Sequence, residues 1–237
     1  MKLVTLAGPP SAGKTAVTIK AIASLQQEGV SVGVVKFDSL STQDQALYEK
    51  QGVAVTTGLS GNLCPDHFFV SNVSDCLSWG VEQGFDLMVI ESAGLCNRCA
   101  PHIQGVLAVC VIDNLSGVDT PKKIGPMLKM ADVVVITKGD IVSQAEREVF
   151  AYRVRQVNSS ATILNVNGLT GQGGHELGRL LQTAAETTDL EGKLLRFSMP
   201  AALCSYCLGQ RRIGSDYQMG NVKKMSFKNR NKAAKAT

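Results

Sequence analysis

One segment near the start of the chain, GPPSAGKT at residues 8–15, constrains the fold more than any other feature. It matches the pattern G-x-x-x-x-G-K-[ST] at every fixed position, it directly follows an apolar run, and it opens a helix-like segment. Glycines in such a loop let backbone N–H groups turn toward a phosphate at the N-terminus of the next helix, where the helix dipole also favours anions. The segment therefore predicts a phosphate-binding loop (P-loop) between a first strand and a first helix.

The last two residues of this loop carry the side chains that reach the phosphates and the metal ion. We expect the Lys14 ammonium to contact the β- and γ-phosphates and the Thr15 hydroxyl to bind Mg²⁺. The loop residues expected to hold the nucleotide are Gly8, Ser11, Ala12, Gly13, Lys14 and Thr15.

Apolar runs alternate with helix-like segments along most of the chain. The runs are short, rich in β-branched residues and without polar alternation, which is typical of strands buried on both faces of a parallel sheet. This alternation predicts an α/β fold with a doubly wound, mainly parallel sheet, the architecture of a P-loop NTPase. The predicted strands are residues 2–7, 30–37, 85–91, 106–112, 132–137 and 161–166, and the clearest predicted helices are 14–28, 121–130, 143–157 and 174–187.

The alternation stops near residue 188, so we expect one P-loop domain over residues 1–188 and a C-terminal extension over 189–237. The extension contains Cys204 and Cys207 and ends in a basic stretch. Residues 221–237 carry six basic and no acidic side chains, so this end accounts for the net charge of +4. We expect a solvated, disordered tail there, the alternative being a segment that docks on an acidic partner or nucleic acid.

Composition narrows the classes of function. Aromatic residues make up 5% of the chain, fewer than single-stranded nucleic-acid binding needs for base stacking. No apolar run reaches the roughly 18 residues of a membrane-spanning helix, and the N-terminus lacks the features of a secretion signal. We expect a cytoplasmic protein with no membrane span and no nucleic-acid partner.

Further polar residues follow the predicted strands at the edge of the sheet where ligands bind. Asp38 follows the second predicted strand, and Glu91 ends the third and precedes Gly94. A carboxylate at this position can hold the Mg²⁺ shell, and a glycine N–H can meet the γ-phosphate. Thr137-Lys138-Gly139-Asp140 matches the N/T-K-x-D pattern of guanine recognition, in which Asp140 accepts from the base and the Lys138 stem packs over it.

Several of these segments together resemble the nickel-inserting GTPases of hydrogenase and urease maturation (HypB- and UreG-like proteins), within the SIMIBI class of P-loop GTPases. The likeness covers about residues 2–187 and includes the P-loop, VIESAG, and the 38–53 segment with Asp38 and Asp44. It also includes the long run VCVIDNLSGVDTPKKIGPMLKMADVVVITKGDI and the segment NVNGLTGQGGHEL. The resemblance implies that Asp38 and Glu91 lie near Mg²⁺ and the hydrolytic water. Together with Lys14 of the P-loop they are the expected catalytic groups, and we expect GTP hydrolysis to be slow. The resemblance also implies a homodimer that forms when GTP binds.

Paired cysteines indicate a second chemistry, because structural disulfides are not expected in a reducing compartment. The urease proteins carry Cys-Pro-His where this chain has Cys-Pro-Asp-His at 64–67, and the hydrogenase proteins carry a Cys-Pro near this chain's Cys96-x-x-Cys99. Mixed thiolate and imidazole ligands suit Ni²⁺, Zn²⁺ or Cu(I), whereas cysteines alone also suit iron–sulfur clusters. The expected metal ligands are Cys64, His67, Cys96, Cys99, Cys204 and Cys207, with His102 as a further candidate.

The sequence is best interpreted as a GTPase metallochaperone or maturation factor. Such a protein would couple its nucleotide state to delivery of a metal, nickel by resemblance, or of a cluster to a client metalloenzyme or another maturation factor. One alternative is an ATP-dependent iron–sulfur reductase-activator of the same fold, and another is a non-enzymatic switch that senses metal or redox state. We expect metal or cluster binding to need Cys96 and Cys99, with one ligand set shared across a dimer two-fold. The alternative, which the sequence leaves open, is a site that Cys64 and His67 complete within one chain.

Overall fold

The structure is a computed structural model that describes residues 1–97, 99–197, 209–218 and 220–227. At its centre lies one sheet of seven strands, and every pair of neighbouring strands is parallel. The strands are β1 (Lys2–Ala7), β2 (Val32–Asp38), β3 (Ala54–Leu59), β4 (Leu87–Glu91), β5 (Leu107–Asp113), β6 (Val133–Thr137) and β7 (Thr162–Asn165). Their order across the sheet is β3-β2-β4-β1-β5-β6-β7.

Helices cover both faces of the sheet. They are α1 (Lys14–Gln27), α2 (Asp44–Lys50), α3 (Pro65–Gln83), α4 (Thr120–Lys123), α5 (Pro126–Lys129), α6 (Gln144–Val157) and α7 (Gly174–Leu181), with 3₁₀ turns at Asn114–Ser116 and Ser215–Tyr217. None of the described helices is both long and apolar enough to cross a membrane.

Successive side chains of each strand point into different cores, as the two-residue period of a strand requires. On β1, Val4 and Leu6 pack with α1 and α7, whereas Leu3 packs on the opposite side with α3. Because both faces are buried, the strands need continuous apolar runs, and this explains why the sequence pattern identified them. The predicted doubly wound fold is confirmed, with a sheet that is parallel throughout.

Three local predictions need correction. The edge strand β3 and the short helix α2 lie between the second and third predicted strands, and neither element was among those predicted. The single helix predicted over 121–130 is wrong, because Gly125 adopts a φ of 52° and separates α4 from α5. The helix predicted to continue to residue 187 ends at Leu181.

The described part of the C-terminal extension packs on the domain. Leu195 and Ile213 are buried in the same core as α3, and Leu195 pairs with Ile103 in an antiparallel bridge. Farther on, the Asn72 side chain of α3 donates to the Lys223 carbonyl and accepts from the Met225 N–H, at 2.8 Å each. Residues 221–227, which belong to the basic stretch expected to be a solvated tail, therefore lie along α3. Residues 228–237 are outside the described part.

Candidate nucleotide and metal site

The P-loop has the backbone shape that its glycines permit. Gly8 has a φ of 149°, and a Cβ there would lie 2.1 Å from the Val111 carbonyl oxygen on β5. Gly13 has a φ of 89° and caps the N-terminus of α1, and Ser11 is also left-handed at 60°. The loop thus curls tightly at the start of a helix, in the arrangement that exposes N–H groups to an anion.

Lys14 folds back over this loop. Its Nζ donates to the carbonyls of Gly8 and Pro9, both at 3.0 Å, and the side chain is buried. Burial lowers the pKa of Lys14, an effect that the nearby Glu91 opposes. The ammonium is held within the curve of the loop, where the phosphates of a nucleotide are expected.

The Thr15 hydroxyl meets two carboxylates. Its Oγ1 is a donor lying 2.9 Å from Asp44 Oδ2 and 3.0 Å from Glu91 Oε1. Tyr48 of α2 donates to the other oxygen of Glu91 at 2.8 Å, and Glu91 is completely buried at the end of β4. Helix α2 therefore brings Asp44 and Tyr48 to the same point as the P-loop hydroxyl.

A buried lysine connects the two carboxylates. Lys36 Nζ lies 2.6 Å from Glu91 Oε1 and 2.8 Å from Asp44 Oδ2. Burial opposes the charged forms, but the hydrogen bond from Lys36 holds the pKa of Asp44 below its usual value. The pKa of Lys36 is in turn raised by Glu91 and Asp44, against the effect of burial.

Asp38 occupies a different position from Asp44. It ends β2, is half-buried, and accepts a 2.8 Å hydrogen bond from the Ser39 N–H. Among the described hydrogen bonds, Asp44 and Glu91 contact Thr15, and none joins Asp38 to it. Of the two acids expected beside Thr15, the structure brings Glu91 into contact and adds Asp44.

The loop after β4 touches the P-loop directly. Gly94 has a φ of 72°, and a Cβ there would lie 1.7 Å from the Gly8 carbonyl oxygen and 3.3 Å from Lys14 Nζ. Only a glycine fits this approach. The Gly94 backbone is therefore adjacent to the position expected for the terminal phosphate.

The segment after β6 borders a cavity of about 230 Å³ beside the P-loop, lined by Gly13, Lys138, Asp140, Gly168 and Leu169 among others. Lys138 has a φ of 57°, and its Nζ donates to the Ser11 carbonyl at 2.8 Å. Thr137 Oγ1 donates to the Ala12 carbonyl at 2.7 Å. These bonds fix the predicted base-recognition segment against the phosphate-binding segment.

Three potential metal ligands cluster at the loop after β4. Asp66, Cys96 and Cys99 each offer one ligand atom, and these atoms all lie within 4.8 Å of one another. Asp66 is in the first turn of α3, and the cysteines follow Gly94 in the loop after β4. Burial raises the pKa of Asp66 to about 6. Burial also raises the pKa of Cys99, as do Asp66, Cys96 and Cys64.

The predicted histidine ligands lie outside this cluster. His67 is buried on α3, and its ring hydrogen-bonds to Gln218 and Asn221 of the C-terminal segment. His102 is also buried, 3.1 Å from both Thr5 Oγ1 and the Met127 carbonyl oxygen. Cys204 and Cys207 lie outside the described residues.

Lys36, Tyr48 and Asp66 belong to no motif that predicts a role for them. A lysine in the otherwise apolar run VGVVKF was one available signal, because a buried ammonium requires a buried acid nearby. Asp66 is the residue that separates this chain's Cys-Pro from its His. Its role depends on α3 turning it toward a loop distant in sequence.

A P-loop after a central parallel strand, with a hydroxyl and acidic side chains beside it, defines a P-loop nucleotide-binding protein. The profile of the CobW/HypB/UreG nucleotide-binding domain matches residues 2–165. The chain belongs to this family.

Individual relatives support this assignment. The chain is 46% identical to an uncharacterized protein of Methanocaldococcus jannaschii over 225 residues, which are 95% of this chain and 96% of that protein. It is 29% identical to the urease accessory protein UreG of Edwardsiella ictaluri over 193 residues, 73% of this chain and 90% of UreG. The crystal structure of HypB from Helicobacter pylori in complex with nickel has a TM-score of 0.62 and 18% identity, covering 77% of this chain and 86% of that one, and so shares the fold.

Proposed function

We propose that this protein is a GTP-hydrolysing metallochaperone whose nucleotide state controls a transition-metal site. One observation carries the proposal. The loop after β4 contains Gly94, which contacts Gly8 of the P-loop, and the same loop contains the two cysteines of the Asp66–Cys96–Cys99 cluster. A change at the terminal phosphate would act on Gly94 and reach Cys96 two residues later. The cargo would pass to a client metalloenzyme or another maturation factor.

The nucleotide half of the proposal uses the P-loop and its neighbours. Lys14 would exchange its bonds to the loop carbonyls for the β- and γ-phosphates. The oxygen donors around Thr15 are of the type that Mg²⁺ prefers, so Thr15 with Asp44 or Glu91 fits this ion, and Asp38 stays a candidate for the same shell. When bound, Mg²⁺ supplies positive charge that offsets charge on the phosphates. Glu91 and Asp38 remain the candidates for orienting the hydrolytic water.

Base recognition would use the cavity beside Lys138. Asp140 would accept hydrogen bonds from the guanine ring N–H and amino group, and the Lys138 stem and Leu169 would pack on either side of the base. The bonds from Lys138 to Ser11 and from Thr137 to Ala12 keep this segment at a fixed distance from the phosphates. GTP is therefore the proposed nucleotide.

The metal half of the proposal rests on a donor set of two thiols and one carboxylate. Such a mixed set suits Ni²⁺ or Zn²⁺ and is a poor match for Mg²⁺. The set comes from one chain, and Cys64 is close enough to influence the Cys99 thiol. We therefore propose one metal ion per chain as cargo, with Cys64 completing the ligands. The protein would act in the cytoplasm as a homodimer that forms with GTP.

Anaerobic purification followed by metal analysis tests the metal half. One equivalent of Ni²⁺ or Zn²⁺ per chain is expected, and it should be lost in a Cys96→Ser, Cys99→Ser variant and kept in a Cys204→Ser, Cys207→Ser variant. An iron–sulfur absorption spectrum together with ATP preference would instead support the reductase-activator. A full equivalent retained in the Cys96→Ser, Cys99→Ser variant would refute the site.

Hydrolysis tests the nucleotide half. Lys14→Met should reduce GTP turnover by at least about 100-fold, because it removes the cation at the transferred phosphate. Lys50→Met, on the exposed end of α2, is the control and should leave turnover unchanged. Unchanged turnover in Lys14→Met would refute the P-loop assignment.

A further inference from the structure

Lys36 is a buried charge that the proposed reaction does not use. It lies within β2 between apolar neighbours, and only 4% of it is exposed. Its Nζ contacts Glu91 Oε1 at 2.6 Å and Asp44 Oδ2 at 2.8 Å. These are the carboxylates that also meet the Thr15 hydroxyl, so an ammonium lies where two acids converge on a proposed Mg²⁺ ligand.

The charges at this point balance within the protein. Two carboxylates face two lysines, Lys36 in direct contact and Lys14 close enough for Glu91 and Asp44 to act on its charge. Neutralised in this way, the pair has little net attraction for a divalent cation. Without Lys36, two buried carboxylates beside a hydroxyl would form an oxygen-rich, negatively charged pocket of the kind that hard cations occupy.

We propose that Lys36 is an internal counter-cation that keeps divalent ions away from Asp44 and Glu91 until a nucleotide supplies its phosphates. Divalent binding beside Thr15 then depends on the nucleotide. Lys36 also links α2 to β2 through its ion pair with Asp44. The Lys36 charge also affects the metal cargo. Because Lys36 neutralises Asp44 and Glu91, these carboxylates do not compete for a free transition metal, which binds instead at the Asp66–Cys96–Cys99 cluster. This inference rests on the proposed nucleotide site.

Mn²⁺ binding without nucleotide tests the proposal. Mn²⁺ prefers the same oxygen ligands as Mg²⁺, and electron paramagnetic resonance counts the free ion directly. All variants would be made in a Cys96→Ser, Cys99→Ser background so that the cysteine cluster does not contribute. Lys36→Met, similar in shape but uncharged, should bind one Mn²⁺ per chain at least tenfold more tightly than the parent. Lys36→Arg, which keeps the charge, should behave as the parent.

Two more variants keep the test decisive. Lys36→Gln, whose amide can still donate to a carboxylate, should show the same gain and replaces Lys36→Met if that variant does not fold. Adding Asp44→Asn to either should abolish the gain, because one of the two acids is then neutral. Equal or weaker Mn²⁺ binding in a folded Lys36→Met or Lys36→Gln variant would overturn the proposal.

The outcome also separates this inference from the proposed function. Nucleotide binding to the parent is measured in parallel with a fluorescent GTP analogue. If the parent binds no nucleotide, the proposed function fails, whatever Mn²⁺ does. If the parent binds nucleotide and the uncharged variants gain no Mn²⁺, only the role of Lys36 fails.

Discussion

The Gly94 backbone and the Gly8 carbonyl approach each other so closely that a single methyl group at Gly94 would lie 1.7 Å from the Gly8 oxygen. This contact joins the loop after β4 to the P-loop. The same loop continues to Cys96 and Cys99, which share a cluster with Asp66. A phosphate site and a candidate metal site are therefore connected by a few residues of one backbone.

Gly94→Ala should weaken GTP binding by disturbing the contact between the loop after β4 and the P-loop. The alanine must move one loop away from the other, so we expect GTP binding to weaken by at least about tenfold, equivalent to roughly 1.4 kcal/mol. Isothermal titration with a non-hydrolysable GTP analogue measures this. Gly84→Ala is the matched control, because Gly84 has the same φ of 72° but nothing within 4 Å of the added Cβ. If Gly94→Ala binds the GTP analogue as tightly as Gly84→Ala does, the contact between Gly94 and Gly8 does not contribute to nucleotide binding, and the prediction is wrong.

Asp140→Asn should change the base that is recognised. The amide presents a donor to the guanine N–H, so GTP affinity should fall by at least about tenfold while xanthosine triphosphate, which offers an acceptor there, should gain. Competition against a fluorescent nucleotide reports both. Asp119→Asn, an exposed acid beside α4, should change neither. Equal affinity of the unmutated protein for GTP and ATP would rule out the guanine assignment.

His102 should make the fold sensitive to acid. Burial lowers its pKa from 6.5 to about 4, so between these values the unfolded chain binds a proton that the folded chain does not. The stabilisation is fully present above pH 6.5 and is lost as the pH falls toward 4, by up to about 3 kcal/mol. Urea unfolding at pH 7.5 and pH 5 measures it. His102→Asn should flatten this slope, and His175→Asn, an exposed histidine, should keep it; equal slopes in both variants would contradict the assignment.

Asn72 should hold the C-terminal segment on α3. Its side chain bonds to Lys223 and Met225, and next to these Phe227 stacks on Trp79 with ring centroids 6.0 Å apart. Asn72→Ala should cost about 2 kcal/mol of unfolding free energy and speed tryptic cleavage after Lys223 or Lys224. Ser78→Ala, on the exposed side of the same helix, should do neither. Rapid cleavage of the unmutated protein at these lysines would contradict the docked segment.

The fold was largely predictable because its five central strands, β2, β4, β1, β5 and β6, are buried on both faces. Such strands need unbroken apolar runs, and the P-loop has a fixed spacing, so both appear directly in the sequence. The edge strand β3 has the half-buried residues Thr56 and Thr57 and lacks such a run. The break at Gly125 depends on a positive φ that helical periodicity does not reveal.

The site was predictable where motifs specify it and not where tertiary packing assembles it. Lys14, Thr15 and Glu91 follow from position in a motif or at a strand end. Asp44 and Lys36 meet only because α2 folds over the end of β2, and Asp66 joins the cysteines only through the direction of α3. The spacing of these residues along the chain matches no motif, so the sequence does not predict that they meet.

The central claim is that nucleotide state and metal affinity are coupled through the loop from Glu91 to Cys99. The most direct test is the Zn²⁺ or Ni²⁺ affinity of the Cys204→Ser, Cys207→Ser protein, measured by chelator competition with GDP and with a non-hydrolysable GTP analogue. We predict affinities that differ by at least about fivefold between the two nucleotides, the lower end of typical allosteric coupling. We also predict that Gly94→Ala removes the difference and Gly84→Ala preserves it. The same metal affinity with both nucleotides, both bound to saturation, would contradict the claim.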